Sequence, residues 1–369
     1  MTSEEGFQYR FTALRGIQAG REYYVVMCPL RLIPKIFLFD EEELSAELRA
    51  QRTLNKARVP EIARYVAAYP KDYVFSSITA SVDGDVSFEP FEKDENAHVG
   101  RLVIPMTARF IINDGQHRRA AIEEALKERP ELERETISVV LFVDAGLLRS
   151  QQMFADLNRH AIRPTRSLGI LYDHRDELSK LACRLAEEVP IFRGLTELER
   201  TTISNRSRKL FTLSSIHLAT RRLLRKGSKG TPSSAESGLA REFWTEVGKN
   251  MPDWQAVADR KVATGEMRRD YVHAHGLALQ ALASAGADLI AADPARWKPR
   301  LKALRRLDWA RSNTSVWEGK ATVHGRVTKA ETNIQLTADV IRDALGIPTT
   351  GVRPAQEKTN GRQRPRPRA

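Results

Sequence analysis

The amino-acid sequence predicts an α+β protein, with a mixed-sheet N-terminal domain, a mostly α-helical second domain and a disordered basic tail. Three observations predict it. Over the first 150 residues, short β-rich runs alternate with stretches of helical spacing. From Ser167 to Leu345 nearly every segment has helical spacing, punctuated by Gly, Pro and Ser. From Arg353 to Ala369, Arg alternates with Pro, Gln, Gly and Asn with almost no apolar residue, too little to drive ordering. The expected domains are residues 1–175, 176–348 and 349–369.

Each element has its own signal. Glu22 to Met27 and Ile36-Phe37-Leu38-Phe39 are β-rich runs, and Leu44, Leu48 and Leu54 give residues 41–54 a helical spacing. Pro60 suits the first turn of a short helix over 61–69. Residues 73–82 alternate as a strand, and Asp83-Gly84-Asp85 turns that strand back into Val86-Ser87-Phe88. Leu102-Val103-Ile104 and Phe110-Ile111-Ile112 are further strands. A helix over 116–128 turns Ala120, Ala121, Ile122 and Ala125 inward; a strand over 137–143 and a helix over 147–157 follow.

Composition narrows the function. The chain has 369 residues, with 59 Lys+Arg against 47 Asp+Glu and a net charge of +12. At 41% hydrophobic residues it can bury a core. No apolar run approaches the ~18 residues that span a bilayer. Met1-Thr2-Ser3-Glu4-Glu5 lacks the basic start and apolar core of a signal peptide, so a cytoplasmic protein is expected. Two cysteines, Cys28 and Cys183, exclude a disulfide framework and a four-thiolate zinc site. The charge is segregated: residues 1–199 are net −5 and residues 200–369 net +17. A polyanion is therefore expected to meet the second half.

The sharpest local signal is Phe110-Ile111-Ile112-Asn113-Asp114-Gly115-Gln116-His117-Arg118-Arg119. A strand ends at Asn113, Asp114-Gly115 turns, and a helix begins near Gln116. Such a junction binds phosphate when amides and Gly approach closely and Arg supplies a planar fork. An ordinary Asp-Gly turn with solvated arginines accounts for the same residues. A second segment ends a helix near Asn158 and continues through Arg159, His160, Arg163 and Pro164. It reads either as the other wall of an anion site or as a basic helix C-cap.

Taken together, the two segments resemble the ParB/sulfiredoxin-like fold, in which a strand–Gly–acidic or polar–Arg–Arg–helix box holds nucleotide phosphates. Asp114-Gly115-Gln116-His117-Arg118 is also the signature of the DGQHR-domain family. With Phe154, Asn158 and the stretch from Arg163 to Leu168, the chain resembles the DndB family of DNA phosphorothioation gene clusters, most firmly over residues 50–175. Gln116-His117 stand where ParB has Glu-Arg, a departure that leaves the nucleotide unidentified. The resemblance implies a DNA-binding repressor of the modification operon, or an accessory protein, rather than a sulfur-transfer catalyst. Its implied partners are duplex DNA at its own promoter and other proteins of the cluster. The box would be formed by Asn113, Asp114, Gly115, Gln116, His117, Arg118, Arg119, Asn158, Arg159 and Arg163, with a nucleoside triphosphate as the candidate ligand. A nucleotide hydrolase or nuclease is the alternative, with His117 as acid/base and Asp114 or Asp156 as metal ligand. No paired-carboxylate metal site is evident for it, and no Walker A string occurs. A homodimer stays open, since no heptad declares one. A third alternative is a scaffold for the other modification proteins, its basic faces serving solubility only.

The expected DNA-binding element is the stretch around a helix from Leu213 to Lys226, capped by Thr212. Residues 200–230 carry nine cations and no carboxylate, among them Arg206, Arg208, Lys209, Arg221, Arg222, Arg225 and Lys226. A solvated helix whose cations complement its dipole is the alternative. Trp297 to Arg311, with Leu301, Leu304 and Leu307, reads as an amphipathic helix with its tryptophans in the core. His273 and His275 fall in a helix expected from Tyr271 to Leu282, which would splay their rings and exclude a metal. Residues 172–176 read as a polar helix start, and Cys28 and Cys183 as buried structural thiols.

Overall fold

The computed structural model describes residues 7–37, 58–92, 97–143, 146–159, 164–204, 206–227 and 230–348. The chain separates into two units, Met1–Ile162 and Arg163–Ala369. The helix expected over 41–54 and the tail at 349–369 lie outside the described residues.

The first unit is built on a seven-stranded mixed sheet. Strands β1 (Gln8–Gln18) and β2 (Arg21–Pro29) form a hairpin closed by Ala19 and Gly20, both at positive φ. That is the two-residue turn whose twist matches paired strands. After a short helix α1 (Ile33–Ile36) come α2 (Val59–Ala68), β3 (Ile78–Asp83), β4 (Ser87–Pro90), β5 (Val99–Pro105) and β6 (Arg109–Asp114). Then follow α3 (Gln116–Glu128), β7 (Thr136–Val143) and α4 (Gly146–Arg159). The strand order is β4-β5-β1-β2-β7-β3-β6, with β3 and β7 parallel and the other neighbours antiparallel. Period two puts Tyr24, Val26 and Cys28 on the face that also buries Ile137, Val139 and Leu141. Ile33 of α1, Ala63 and Val66 of α2, and Ala121, Ile122 and Ala125 of α3 complete that core. Ala120 is only half-buried.

The second unit is helical. It comprises α5 (Arg166–Tyr172), α6 (Glu177–Glu188), the two-residue strands β8 (Thr196–Glu197) and β9 (Phe211–Thr212), and α7 (Leu213–Leu223). It continues with α8 (Ser234–Lys249), α9 (Pro252–Ala258), α10 (Thr264–Asp270) and α11 (Gly276–Ala292). Helix α11 is buried almost all round, as a central core helix must be, and packs between α7 and α14 (Glu331–Ala344), which follows the single turns α12 (Trp297–Arg300) and α13 (Thr314–Trp317). Gly286 admits the Phe243 ring, which a Cβ there would meet at 2.3 Å. All five tryptophans, at 244, 254, 297, 309 and 317, are buried in this unit. Asp176 accepts from the amides of Leu178 and Ser179 and so caps α6. Among the described residues no helix is long and apolar enough to cross a membrane.

Several sequence expectations are corrected. Ile36 closes a helix, not a strand, because Pro34 sits at its first turn; Leu38 and Phe39 lie outside the described residues. The strand expected from Tyr73 starts at Ile78. Asp83-Gly84-Asp85 does not close a hairpin: β3 lies between β7 and β6, and β4 pairs with β5. A turn signal states that the chain reverses, not which strand it will pair with. Helix α7 ends at Leu223, three residues short of Lys226, where Arg225 adopts positive φ. Trp297 to Arg311 is one helical turn, α12 (Trp297–Arg300), followed by a 3-10 segment over Leu301–Arg306, with Trp309 buried by its own hydrogen bond to Leu304 O. Tyr271 pairs with Ala310 in an isolated bridge, so α11 begins only at Gly276. His273 is satisfied within the core instead, between Trp254 Nε1 (3.2 Å) and Asp253 Oδ2 (2.9 Å).

Candidate phosphate and nucleic-acid sites

The box of the first unit forms at the end of β6. Opposite β3, Thr79 faces Asp114 and Ala80 faces Ile112, so Asn113 is the extra residue of a β-bulge. Bulges re-aim side chains beside functional sites. Asn113 is fully buried; its Nδ2 donates to Ser81 Oγ (2.7 Å), and Ser150 Oγ of α4 donates to the same hydroxyl (3.1 Å). Its Oδ1 has no partner among the described residues. Gly115 follows at φ 113°, and α3 begins without a side-chain cap. A Cβ on Gly115 would lie 3.0 Å from Ile78 Cγ1 and 3.2 Å from Arg118 Nη2, so glycine is required there by backbone and by space.

The side chains of the box divide into two groups. Arg118 donates through Nη2 to Asp114 Oδ2 (2.5 Å) and Ser77 O (3.0 Å), while its Nε is buried with no partner among the described residues. His117 beside it is half-buried; burial and the charges of Arg58 and Arg118 hold its imidazole below the usual range, against the pull of Asp114. Both belong to the first turn of α3. Gln116 and Arg119 point inward instead. Gln116 Nε2 donates to Ile112 O (3.1 Å). Arg119 donates to Phe37 O (2.9 Å) and Pro34 O (3.2 Å) and pairs with Glu123 (2.5 Å), which ties α1 to α3. Asn158 and Arg159 lie on α4 with side chains outside the description, and His160 and Arg163 lie outside the described residues.

In the second unit the basic stretch is partly neutralised in space. Arg222 forks onto Glu331, with Nη1 2.9 Å from Oε1, and its Nε donates to Gln280 (3.0 Å). That contact holds the Glu331 carboxyl below its usual range. Arg225 pairs with Asp288 (2.6 Å), and Lys226 with Glu236 (2.8 Å). Arg221 is half-buried. Arg206 and Arg208 are exposed and have no carboxylate partner among the described residues. The loop that presents them is held by its carbonyls: Arg268 donates to Ser204 O (2.8 Å) and to Lys209 O, and Thr264 Oγ1 to Ser207 O (2.6 Å). Lys209 Nζ donates to Gly194 O (3.0 Å).

Cys28 is buried and its thiol is pushed up to about 12 by burial, which removes its thiolate at neutral pH. Among the described residues no cluster of three or more His, Cys, Asp or Glu is placed to hold a metal.

A protein-family model described as DndB, DNA-sulfur modification-associated, matches residues 11–348. No curated protein and no solved structure matches the chain.

Proposed function

Because the chain belongs to the DndB family of DNA-sulfur modification-associated proteins, we propose that it is a DNA-binding regulator of its modification system, acting as a repressor of its own operon. Duplex DNA meets the second unit, and a phosphate or nucleotide meets the box of the first. Other proteins of the same modification cluster are its further candidate partners. The observation that carries this reading is the clamped loop with Arg206 and Arg208, two cations without carboxylate partners among the described residues. Cations left unpaired on an ordered loop are available to release counterions from a phosphate backbone.

At the box, the support is a bulge, an uncapped helix start and the buried Nε of Arg118, beside a histidine kept neutral. Amides of the first turn, Arg118 and His117 would hold the phosphate; Arg119 and Gln116 hold the fold that presents them. A nucleotide bound there would shift the grip on DNA only through a differential affinity for the two states.

The test is binding of the full chain to the promoter duplex of its own operon and to a scrambled duplex, with and without ATP or CTP. Preference for the promoter, with expression of a reporter falling when the protein is supplied, is expected. Absence of binding at low salt, or equal affinity for both duplexes, removes the regulator reading.

A further inference from the structure

We propose that the second unit carries a cleft for the sugar-phosphate backbone of DNA, built by Arg193, Arg206, Arg208 and Arg260. This rests on the DNA-binding reading above and adds the surface, two of whose arginines lie outside the basic stretch of residues 200–230.

The cleft has a volume of about 780 Å³ and is lined by these four arginines, all exposed, and by no acidic residue. They come from three separate parts of the chain: the turn after α6, the segment of residues 206–209, and the end of α9. Like charges gathered around one cavity repel each other when it is empty, and a polyanion relieves that repulsion. The end of α7, by contrast, gives three of its cations carboxylate partners.

The wall is constructed rather than loose. Arg193 donates from Nε to Glu187 O (2.7 Å) and from Nη2 to Glu188 O (3.2 Å), which fixes it on the carboxyl end of α6. Lys209 fastens the 206–209 segment to the neighbouring Gly194, and Arg268 and Thr264 hold the carbonyls of Ser204, Ser207 and Lys209.

Arg260 supplies an independent observation. Helix α9 ends in a Schellman motif, with Arg260 N donating to Val257 O (3.0 Å) and Lys261 N to Ala256 O (2.8 Å). The motif requires the left-handed conformation, and Arg260 has φ 60°. Helix α14 ends the same way and uses Gly346 at that position, the residue that adopts it without strain. Arginine is strained there, as Arg225 is at the same position of α7, where it pairs with Asp288; the Arg260 guanidinium, without a carboxylate partner among the described residues, lines the cleft.

A second cavity of about 850 Å³ shares Ala263 and Gly265 with the first, so the basic surface continues past it to Arg311 and Lys329, with Glu266 as its acidic member. His275 in that chamber is pushed down to about 4, by burial and then by the charges of Arg311, Lys329 and Arg268. No aromatic ring lines the first chamber, so nothing there offers a base a stacking platform. The arginines read phosphates.

The experiment measures binding of the full chain to a promoter duplex by fluorescence anisotropy across a salt series. The variants are Arg206→Gln with Arg208→Gln, Arg260→Gly, and the three together. Arg260→Gly removes the charge and relieves the strain, so its melting temperature should hold or rise, which separates lost binding from lost folding. Each contact removed should lower the log–log salt slope by about 0.9, so the triple variant should lose roughly 2.7 in slope. A triple variant with wild-type affinity and slope overturns the cleft while leaving DNA binding intact. A wild-type chain that binds no duplex removes the DNA-binding reading and the cleft with it. A triple variant that loses ATP binding but keeps duplex binding overturns the assignment to DNA backbone.

Discussion

Replacing Arg119 with Met should destabilise the first unit without acting through a ligand. Arg119 is 9% exposed, and its guanidinium bridges two elements distant in sequence. Its bond to Phe37 O at 2.9 Å and its longer one to Pro34 O at 3.2 Å are charge-assisted, and such bonds contribute about 1.5–3 kcal/mol each. The pair with Glu123 adds only ~0.5 kcal/mol, because that carboxylate is 43% exposed and screened. Taking the low end for both bonds and adding the pair, the loss is about 3.5 kcal/mol. Met keeps the stem's apolar packing, so the polar part is isolated. Urea unfolding followed by far-ultraviolet circular dichroism, with hydrogen exchange over residues 33–37 and 116–123, reads the change. Tryptophan fluorescence supplies a separate readout, since all five tryptophans lie in the second unit. Unchanged stability together with lost phosphate binding at the box would refute the reasoning and make Arg119 a ligand residue.

Three further outcomes are expected. Gly115→Ala forces a side chain at φ 113° against Ile78 and should cost about 1–3 kcal/mol, read by chemical denaturation; a neutral result would show that the turn relaxes freely. Arg225→Gln removes a cation already paired with Asp288, so the salt slope of DNA binding should change by less than about 0.3, against about 0.9 for Arg206→Gln. His275 has a folded-state value of about 4, below the unfolded 6.5, so its contribution to stability is intact above 6.5. As pH falls from 6.5 toward about 4 the unfolded chain gains a proton that the folded chain refuses, at a cost of about 3 kcal/mol. His217 and His273 are also depressed, first of all by burial, and act in the same direction. Tryptophan fluorescence melts at descending pH should show the loss, and a flat profile over that window would contradict it.

The parts of the fold legible in the sequence were those written in local chemistry. Asp114-Gly115 between a β-rich run and an Ala-rich helix marked the junction, and Thr212 marked the start of α7. Partner choice was not legible. Asp83-Gly84-Asp85 looks like a hairpin turn, yet the strands beside β3 are β6 and, more than fifty residues on, β7, and neither is the strand that follows the turn. The same limit applies to charge. Residues 200–230 hold no carboxylate, but Glu236, Asp288 and Glu331 come back to neutralise Lys226, Arg225 and Arg222. Arg119 looked like its neighbour Arg118, and only its contact with α1 separates them. Arg260 carried no sequence signal, because the left-handed position it occupies is normally announced by glycine.

The most direct measurement is the salt dependence of full-length binding to the promoter duplex between about 50 and about 200 mM salt. Log affinity should fall linearly, with a slope that shrinks when Arg206 and Arg208 are neutralised and stays the same when His117 in the box becomes Ala. A salt-independent affinity, or a slope set by His117 rather than by the arginines, would contradict DNA binding by the second unit.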